Sequence, residues 1–173
     1  MSVGAAARIT AYVVVVLLVS ASAVVGNDRA RSPDAAWREP LQRVETALAV
    51  GDVRGAAHAW EVAYRAAMRA RTPVGMLEVG RARLRIGEAA RDRQTAVAQA
   101  RRIFLLALFQ ARERRDPSGV ARAGEAFASL GDREVADRAF EVAMALAAQN
   151  GDAMARERIA ALRTRLDSAS LVP

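Results

Sequence analysis

The sequence has no cysteine, no lysine and only one histidine, His58. Without cysteine the chain cannot form a disulfide, use a thiol as a nucleophile or bind a metal through thiolates. A single histidine also excludes a multi-histidine metal site. Because His58 lies between two alanines in a helical pattern, we expect an ordinary imidazole on or near a helix surface. The chain therefore lacks the residues of the commonest metal and thiol centres.

Signals for other catalytic sites are also missing. The segment from Gly75 to Gly80 lacks the Lys-Ser or Lys-Thr ending of a phosphate-binding loop, and nothing around it is patterned as a strand. Carboxylates are spread among arginines at helical spacing, as Asp137 and Glu141 are around Arg138, which is typical of surface ion pairs. The sequence thus predicts no catalytic residue, no cofactor, no metal and no enzymatic activity.

Aromatic residues make up only 5% of the chain, so a core of many large rings is excluded. Alanine is the commonest residue, and alanine, arginine, leucine and glutamate all favour helices. Small side chains let helices approach closely, while a few aromatic rings fill the remaining gaps. These features predict an all-α fold. Arginine without lysine, together with abundant alanine, glycine and valine, is typical of a GC-rich bacterial genome.

The longest apolar run lies in residues 1–26. A short start with Arg8 precedes the uncharged residues 9–19, and the small residues Ala21-Ser22-Ala23 follow. This order predicts a secretory signal peptide. The alternative is an uncleaved membrane anchor, since residues 9–26 carry no charge and could just cross a bilayer; a buried soluble helix is a third interpretation. The first two interpretations place the rest of the chain in the periplasm or cell envelope.

The body of the chain is helical with regular breaks. Residues 27–37 form a predicted linker, residues 38–167 a helical domain and residues 168–173 a tail. Each break combines residues that stop or start helices: glycine, N-capping aspartate or threonine, or first-turn proline. The breaks are Gly51-Asp52, Arg71-Thr72-Pro73, Gly87, Asp116-Pro117, Gly131-Asp132 and Gly151-Asp152. Seven helices are therefore predicted, at residues 38–50, 53–70, 74–86, 92–114, 118–130, 133–149 and 153–167.

An internal repeat is visible within these helices. The series glycine, alanine, aromatic, alanine recurs with identical offsets as Gly51, Ala56, Trp60 and Ala63, and as Gly131, Ala136, Phe140 and Ala143. A middle copy with Gly87, Ala100, Phe104 and Ala107 keeps the spacing from alanine to aromatic to alanine but has eight extra residues after the glycine. Repeats of this kind indicate stacked helix hairpins rather than a single bundle.

This series resembles the tetratricopeptide repeat family. The resemblance covers residues 38–167 and is fullest in the third copy, Pro117 to Asn150, whereas the middle copy has Arg83 at the usual aromatic position of the first helix. It implies an all-α array of antiparallel helix hairpins, a short α-solenoid of about three hairpins, with residues 153–166 as a capping helix. It also implies a non-catalytic role in protein–protein interaction or scaffolding.

In this family the first helices of successive hairpins line a groove that holds a partner segment. Carried onto this sequence, the groove positions are Arg38, Leu41, Glu45, Leu48, Leu77, Arg81, Leu84, Arg85 and Glu125. Mixed leucines and arginines suit a protein or peptide partner with apolar anchors and acidic residues.

The charge distribution leaves a second function open. Residues 65–115 contain thirteen arginines and four acidic residues, a surplus of +9 in a chain of net charge +7. This basic belt is either a solvated face or a binding surface for nucleic acid or an anionic surface. Nucleic acid is disfavoured, because no aromatics alternate with these arginines and an exported protein rarely meets it.

The apolar segment from Ile103 to Phe109 covers every face of its helix. We expect burial on all sides between neighbouring hairpins. The alternative is an exposed adhesive stripe.

Overall fold

The computed structural model describes residues 35–169. The predicted export segment or anchor, residues 27–34 of the predicted linker and the last residues of the tail lie outside the described residues.

The described residues form seven α-helices and no strand. The helices are α1 (Ala35–Ala49), α2 (Val53–Ala70), α3 (Pro73–Ala89), α4 (Arg93–Glu113), α5 (Pro117–Ser129), α6 (Arg133–Gln149) and α7 (Ala153–Ala169). The predicted all-α fold is confirmed, and most helix ends fall within a residue or two of their predicted positions. The first helix begins earlier than expected, because Trp37 belongs to it and is buried in the core. None of the described helices is long and apolar enough to cross a membrane.

The helices pack as sequential antiparallel pairs, which is the packing of a short helical repeat array. The hairpins are α1 with α2, α3 with α4, and α5 with α6, while α7 packs on the last hairpin. The first helices of neighbouring hairpins also contact one another, more extensively than the second helices do. The first helices therefore lie on the inner side of the array and the second helices on its outer side.

The connections between helices share one design. The residue that leaves each helix has a left-handed backbone, and an aspartate or threonine follows it as the N-cap of the next helix. The left-handed residues are Gly51, Arg71, Arg91, Arg115, Gly131 and Gly151. Side-chain oxygens of four caps accept a hydrogen bond from a backbone N–H three residues on: Asp52, Thr72, Asp116 and Asp152.

The eight extra residues of the middle copy lengthen both of its helices equally. Helix α3 has 17 residues against 13 in α5, and α4 has 21 against 17 in α6. Each helix therefore gains about one turn. The helix crossing is kept: Gly80 lies beside the ring of Phe104 in the middle hairpin, as Gly124 lies beside Phe140 in the third. The matched lengthening leaves the tip of the middle hairpin projecting beyond its neighbours.

The prediction that Gly87 ends a helix is wrong. Gly87 is buried inside α3, and the turn comes later, at Arg91 with a φ of 56°. A Cβ atom at Gly87 would lie 2.1 Å from the Cβ of Ala96 on α4. The glycine is needed because the two helices of the longest hairpin approach closely at this point.

The core consists mostly of alanine with a few large side chains. Phe104 and Phe127 are almost fully buried and meet edge to face, with ring centroids 6.2 Å apart. Trp60 of α2 stacks on Tyr64 and donates a hydrogen bond of 2.7 Å from Nε1 to the carbonyl of Val79 on α3. These rings fill the gaps between hairpins, as the repeat pattern predicted.

Candidate functional site

Four charged residues of the predicted groove meet on the inner surface, which we define as the exposed side of α1, α3 and α5. Arg85 of α3 forms an ion pair and hydrogen bond with Glu45 of α1. Arg81 donates a 2.8 Å hydrogen bond to Glu78 on its own helix, and its guanidinium lies 3.6 Å from Glu125 of α5. The charges predicted to face a partner therefore join the three first helices to one another. Reversing Arg81 or Arg85 would set carboxylates against carboxylates, so these positions are poor probes of binding.

The apolar groove positions differ in how far a partner could reach them. Leu77 is buried at 1% exposure, so its side chain belongs to the core and does not line the inner surface. Leu41 and Leu48 are half-buried against the core. Arg38 is exposed, and its guanidinium lies 5.1 Å from the centroid of the neighbouring Trp37 ring. Leu84, by contrast, lines an open recess.

This recess has a volume of about 190 Å³ and is formed by three helices. Leu84, Val97 and Leu130 are its apolar residues, and Glu88, Arg93 and Ser129 are its polar ones. Glu88 and Arg93 belong to the added turns of α3 and α4, which project past the end of α5. The recess therefore exists because the middle hairpin is longer than its neighbour.

The recess suits a side chain better than a small molecule. Ligand pockets usually have volumes of about 300–1,000 Å³. Its polar rim is partly unpaired, because neither Glu88 nor Arg93 has a charged partner in the described part of the chain. Sequence reasoning found Leu84 but missed Val97 and Leu130, since their meeting depends on how far one hairpin overhangs the next.

A second surface lies on the outer side of the array. The α4 stripe, formed by Leu105, Leu106 and Phe109, is exposed at 42%, 38% and 49%. Ile103 and Phe104 on the opposite side of the helix are buried. The expectation that this segment is buried on all sides is therefore wrong, because one side of it is exposed. The physical reason is that neighbouring second helices are too far apart to cover the outer face of α4.

An apolar groove of about 350 Å³ adjoins this stripe. It runs between α4 and α6, and its apolar side chains are Leu108, Val135, Ala139 and Val142. Arg112, Glu134 and Arg138 complete its lining, so both charge signs are present on the outer face.

About half of the arginines of the basic belt are paired with other groups, mostly on neighbouring helices. Five of its arginines form ion pairs with carboxylates: Arg65, Arg81, Arg83, Arg85 and Arg101. The strongest geometry joins Arg101 of α4 to both carboxylate oxygens of Asp132, at 2.6 Å and 2.7 Å. The hydrogen bond from this pair raises the pKa of the Arg101 guanidinium, with a further Coulombic contribution. The side chains of Arg114 and Arg115 likewise donate hydrogen bonds to neighbouring connections or helices.

Within the described residues, no group of histidine, aspartate and glutamate is arranged to hold a metal ion. His58 is exposed on α2. No protein-family model matches the chain, and no curated protein matches its sequence.

Proposed function

We propose that this chain is a non-catalytic interaction module of the bacterial cell envelope, related in design to tetratricopeptide proteins. The support is twofold. The repeated glycine, alanine and aromatic positions resemble that family, and the described helices pack as successive antiparallel hairpins. An extended or helical partner segment would lie along the inner surface, as peptides do in grooves of this type.

The observation that carries this proposal is the recess beside Leu84. It combines an apolar floor with a few polar groups on its rim, which is the usual composition of an anchoring pocket. It lies next to the predicted groove positions, at the end of the middle hairpin, whose helices are about one turn longer than those of the third. One large apolar side chain of the partner would enter it.

The partner is proposed to carry an acidic residue beside this apolar anchor. Arg81 and Arg85 are already paired, so they have little charge left for a partner. Arg93 on the rim has no carboxylate partner in the described part of the chain and lies within reach of a segment entering the recess. Such a rim charge would raise the association rate and orient the segment more than it would raise affinity.

A photo-crosslinking residue at position 93 tests this function in living cells. We expect one discrete product between the chain and another protein. The matched control is the same residue at position 158, another exposed arginine position, on α7. If positions 93 and 158 give the same products or none, the recess is not a partner site.

The working location is proposed to be outside the cytoplasm, because residues 9–26 have the composition of an export segment or anchor. An enzyme reporter that is active only after export, fused after residue 34, is expected to be active. The control is the same fusion beginning at residue 27, which should be inactive. An inactive reporter on the longer fusion, in cells that produce it, would return the protein to the cytoplasm and remove this part of the proposal.

The alternative function is binding of nucleic acid or an anionic surface by the basic belt. The ion pairs of Arg81, Arg83, Arg85 and Arg101 reduce the free charge available for it. Binding to random oligonucleotides that weakens steeply with added salt would favour this alternative over the proposed module.

A further inference from the structure

We propose that the outer face of α4 binds a second copy of this chain, with the two α4 helices antiparallel about a twofold axis between Leu106 and Phe109. This face is separate from the recess on the inner surface, so the inference does not depend on the proposed function. It rests on the exposed α4 stripe and on the placement of two unpaired charges beside it.

The stripe joins several exposed apolar side chains into one continuous surface. Leu105, Leu106 and Phe109 lie within about one turn of one another and are exposed together. The partly exposed Leu108 joins them to the apolar groove between α4 and α6. Contiguous apolar surface of this kind, bordered by charges, marks an interaction site rather than scattered surface leucines.

The charges beside the stripe are arranged symmetrically. Arg102 and Glu113 are eleven residues apart, which is about three helical turns, so they lie on the same side of α4, at the two ends of the stripe. Both are exposed, and neither has an ion-pair partner in the described residues. Leu106 lies four residues after Arg102, and Phe109 lies four residues before Glu113.

This spacing fits a second copy and not an arbitrary partner. A twofold interface brings the same patch of both copies together, so each residue meets its counterpart twice. In the antiparallel arrangement Arg102 of each copy faces Glu113 of the other, and Leu106 faces Phe109. One edge of the stripe carries Arg101 and Arg112, whose mutual repulsion is reduced because Asp132 already neutralises Arg101. Both flanking ion pairs form only when the helices are antiparallel.

An anionic membrane is a less suitable occupant of this face. Glu113 borders the stripe, and Glu134 lies on the adjoining helix. Their carboxylates would repel anionic headgroups, whereas a second copy presents arginines to them.

The test is the oligomeric state of the full chain, measured by sedimentation equilibrium in density-matched detergent. We expect a reversible dimer. The variants Arg102→Glu and Glu113→Arg each replace two attractive contacts by two repulsive ones, and each is expected to weaken dimerisation by about tenfold. The double variant that swaps both charges restores the two pairs and is expected to regain wild-type dimerisation.

The outcomes separate the possible occupants. A monomer at all concentrations overturns the proposal. A dimer whose stability is unchanged by the single charge reversals, or is not restored by the double variant, also overturns it.

Because the chain has no cysteine, Leu106→Cys allows an independent test by crosslinking. A short thiol crosslinker should join two copies at position 106 but not at position 154 of α7, where Met154→Cys is the exposed control. Equal crosslinking at both positions would also contradict the twofold arrangement.

Discussion

Replacing Phe140 by alanine is expected to lower the free energy of unfolding by about 3–5 kcal/mol. Phe140 is exposed at only 2%, and its ring lies beside Gly124 where α5 and α6 cross. Removing the ring would leave a cavity among alanines, whose short side chains cannot move in to fill it. Urea denaturation followed by circular dichroism measures the loss.

Phe109 provides the matched control for this substitution. It is also a phenylalanine on a second helix, but it is exposed at 49%. Phe109→Ala should therefore lower the free energy of unfolding of the monomer by much less, so both variants are compared at concentrations at which the chain is monomeric. Small, equal losses for the two variants would contradict the assignment of Phe140 as the ring that fills the hairpin crossing.

Replacing Gly87 by alanine is expected to destabilise the protein by about 1–2 kcal/mol, although alanine favours helix formation, because a contact as close as 2.1 Å belongs in the upper part of the range of overpacking costs. The preference of alanine over glycine within a helix is worth about 1 kcal/mol. Against this, the new methyl group would lie 2.1 Å from the Cβ of Ala96. That Cβ is fixed to the backbone, so α3 and α4 must separate, and overpacking of this kind costs about 1–3 kcal/mol. Thermal or urea unfolding measures the net change in the free energy of unfolding.

The control is the double variant Gly87→Ala with Ala96→Gly. It moves the methyl group from one helix to the other and removes the close contact, so stability is expected to return close to that of the natural protein. A Gly87→Ala variant that is as stable as the natural protein, or a double variant less stable than the single one, would contradict close packing as the reason for this glycine.

Local signals in the sequence predicted the helices well. Helix starts at Asp52, Asp116 and Asp152 follow from capping chemistry, which depends only on neighbouring residues. The same local reasoning misplaced the middle turn, because Arg91 holds a left-handed conformation usually given to glycine, while Gly87 serves a contact with another helix. A glycine needed for packing cannot be told from a glycine needed for a turn by its immediate neighbours.

The candidate site was only partly predictable, because its properties depend on pairs of distant residues. Leu77 and Leu84 occupy the same helix and look alike in sequence, yet one is buried and the other lines the recess. Arg85 was expected to face a partner, but its charge is paired with Glu45, forty residues earlier in the chain. Helical periodicity shows which side of a helix a residue occupies, and not which neighbouring helix covers it.

The projection of the middle hairpin beyond its neighbours was the feature hardest to predict from the sequence. The eight extra residues were visible in the spacing between Gly87 and Ala100, and they predicted a lengthened second helix. Their equal division between α3 and α4 follows from the need to keep Phe104 beside Gly80. The recess below the added turns, and with it the proposed binding site, is a consequence of that division.

The most direct test of the central claim, that a partner anchors in the recess of the middle hairpin, is to block the recess and measure crosslinking from position 93. Ser129 is exposed at its edge, and Ser118 is exposed at the other end of the same helix. Tryptophan at position 129 would fill the recess without removing any core contact, so Ser129→Trp should abolish the crosslinked product. Ser118→Trp, which adds the same bulk elsewhere on α5, should leave it unchanged. A product that survives Ser129→Trp, or is lost equally in both variants, would contradict the claim.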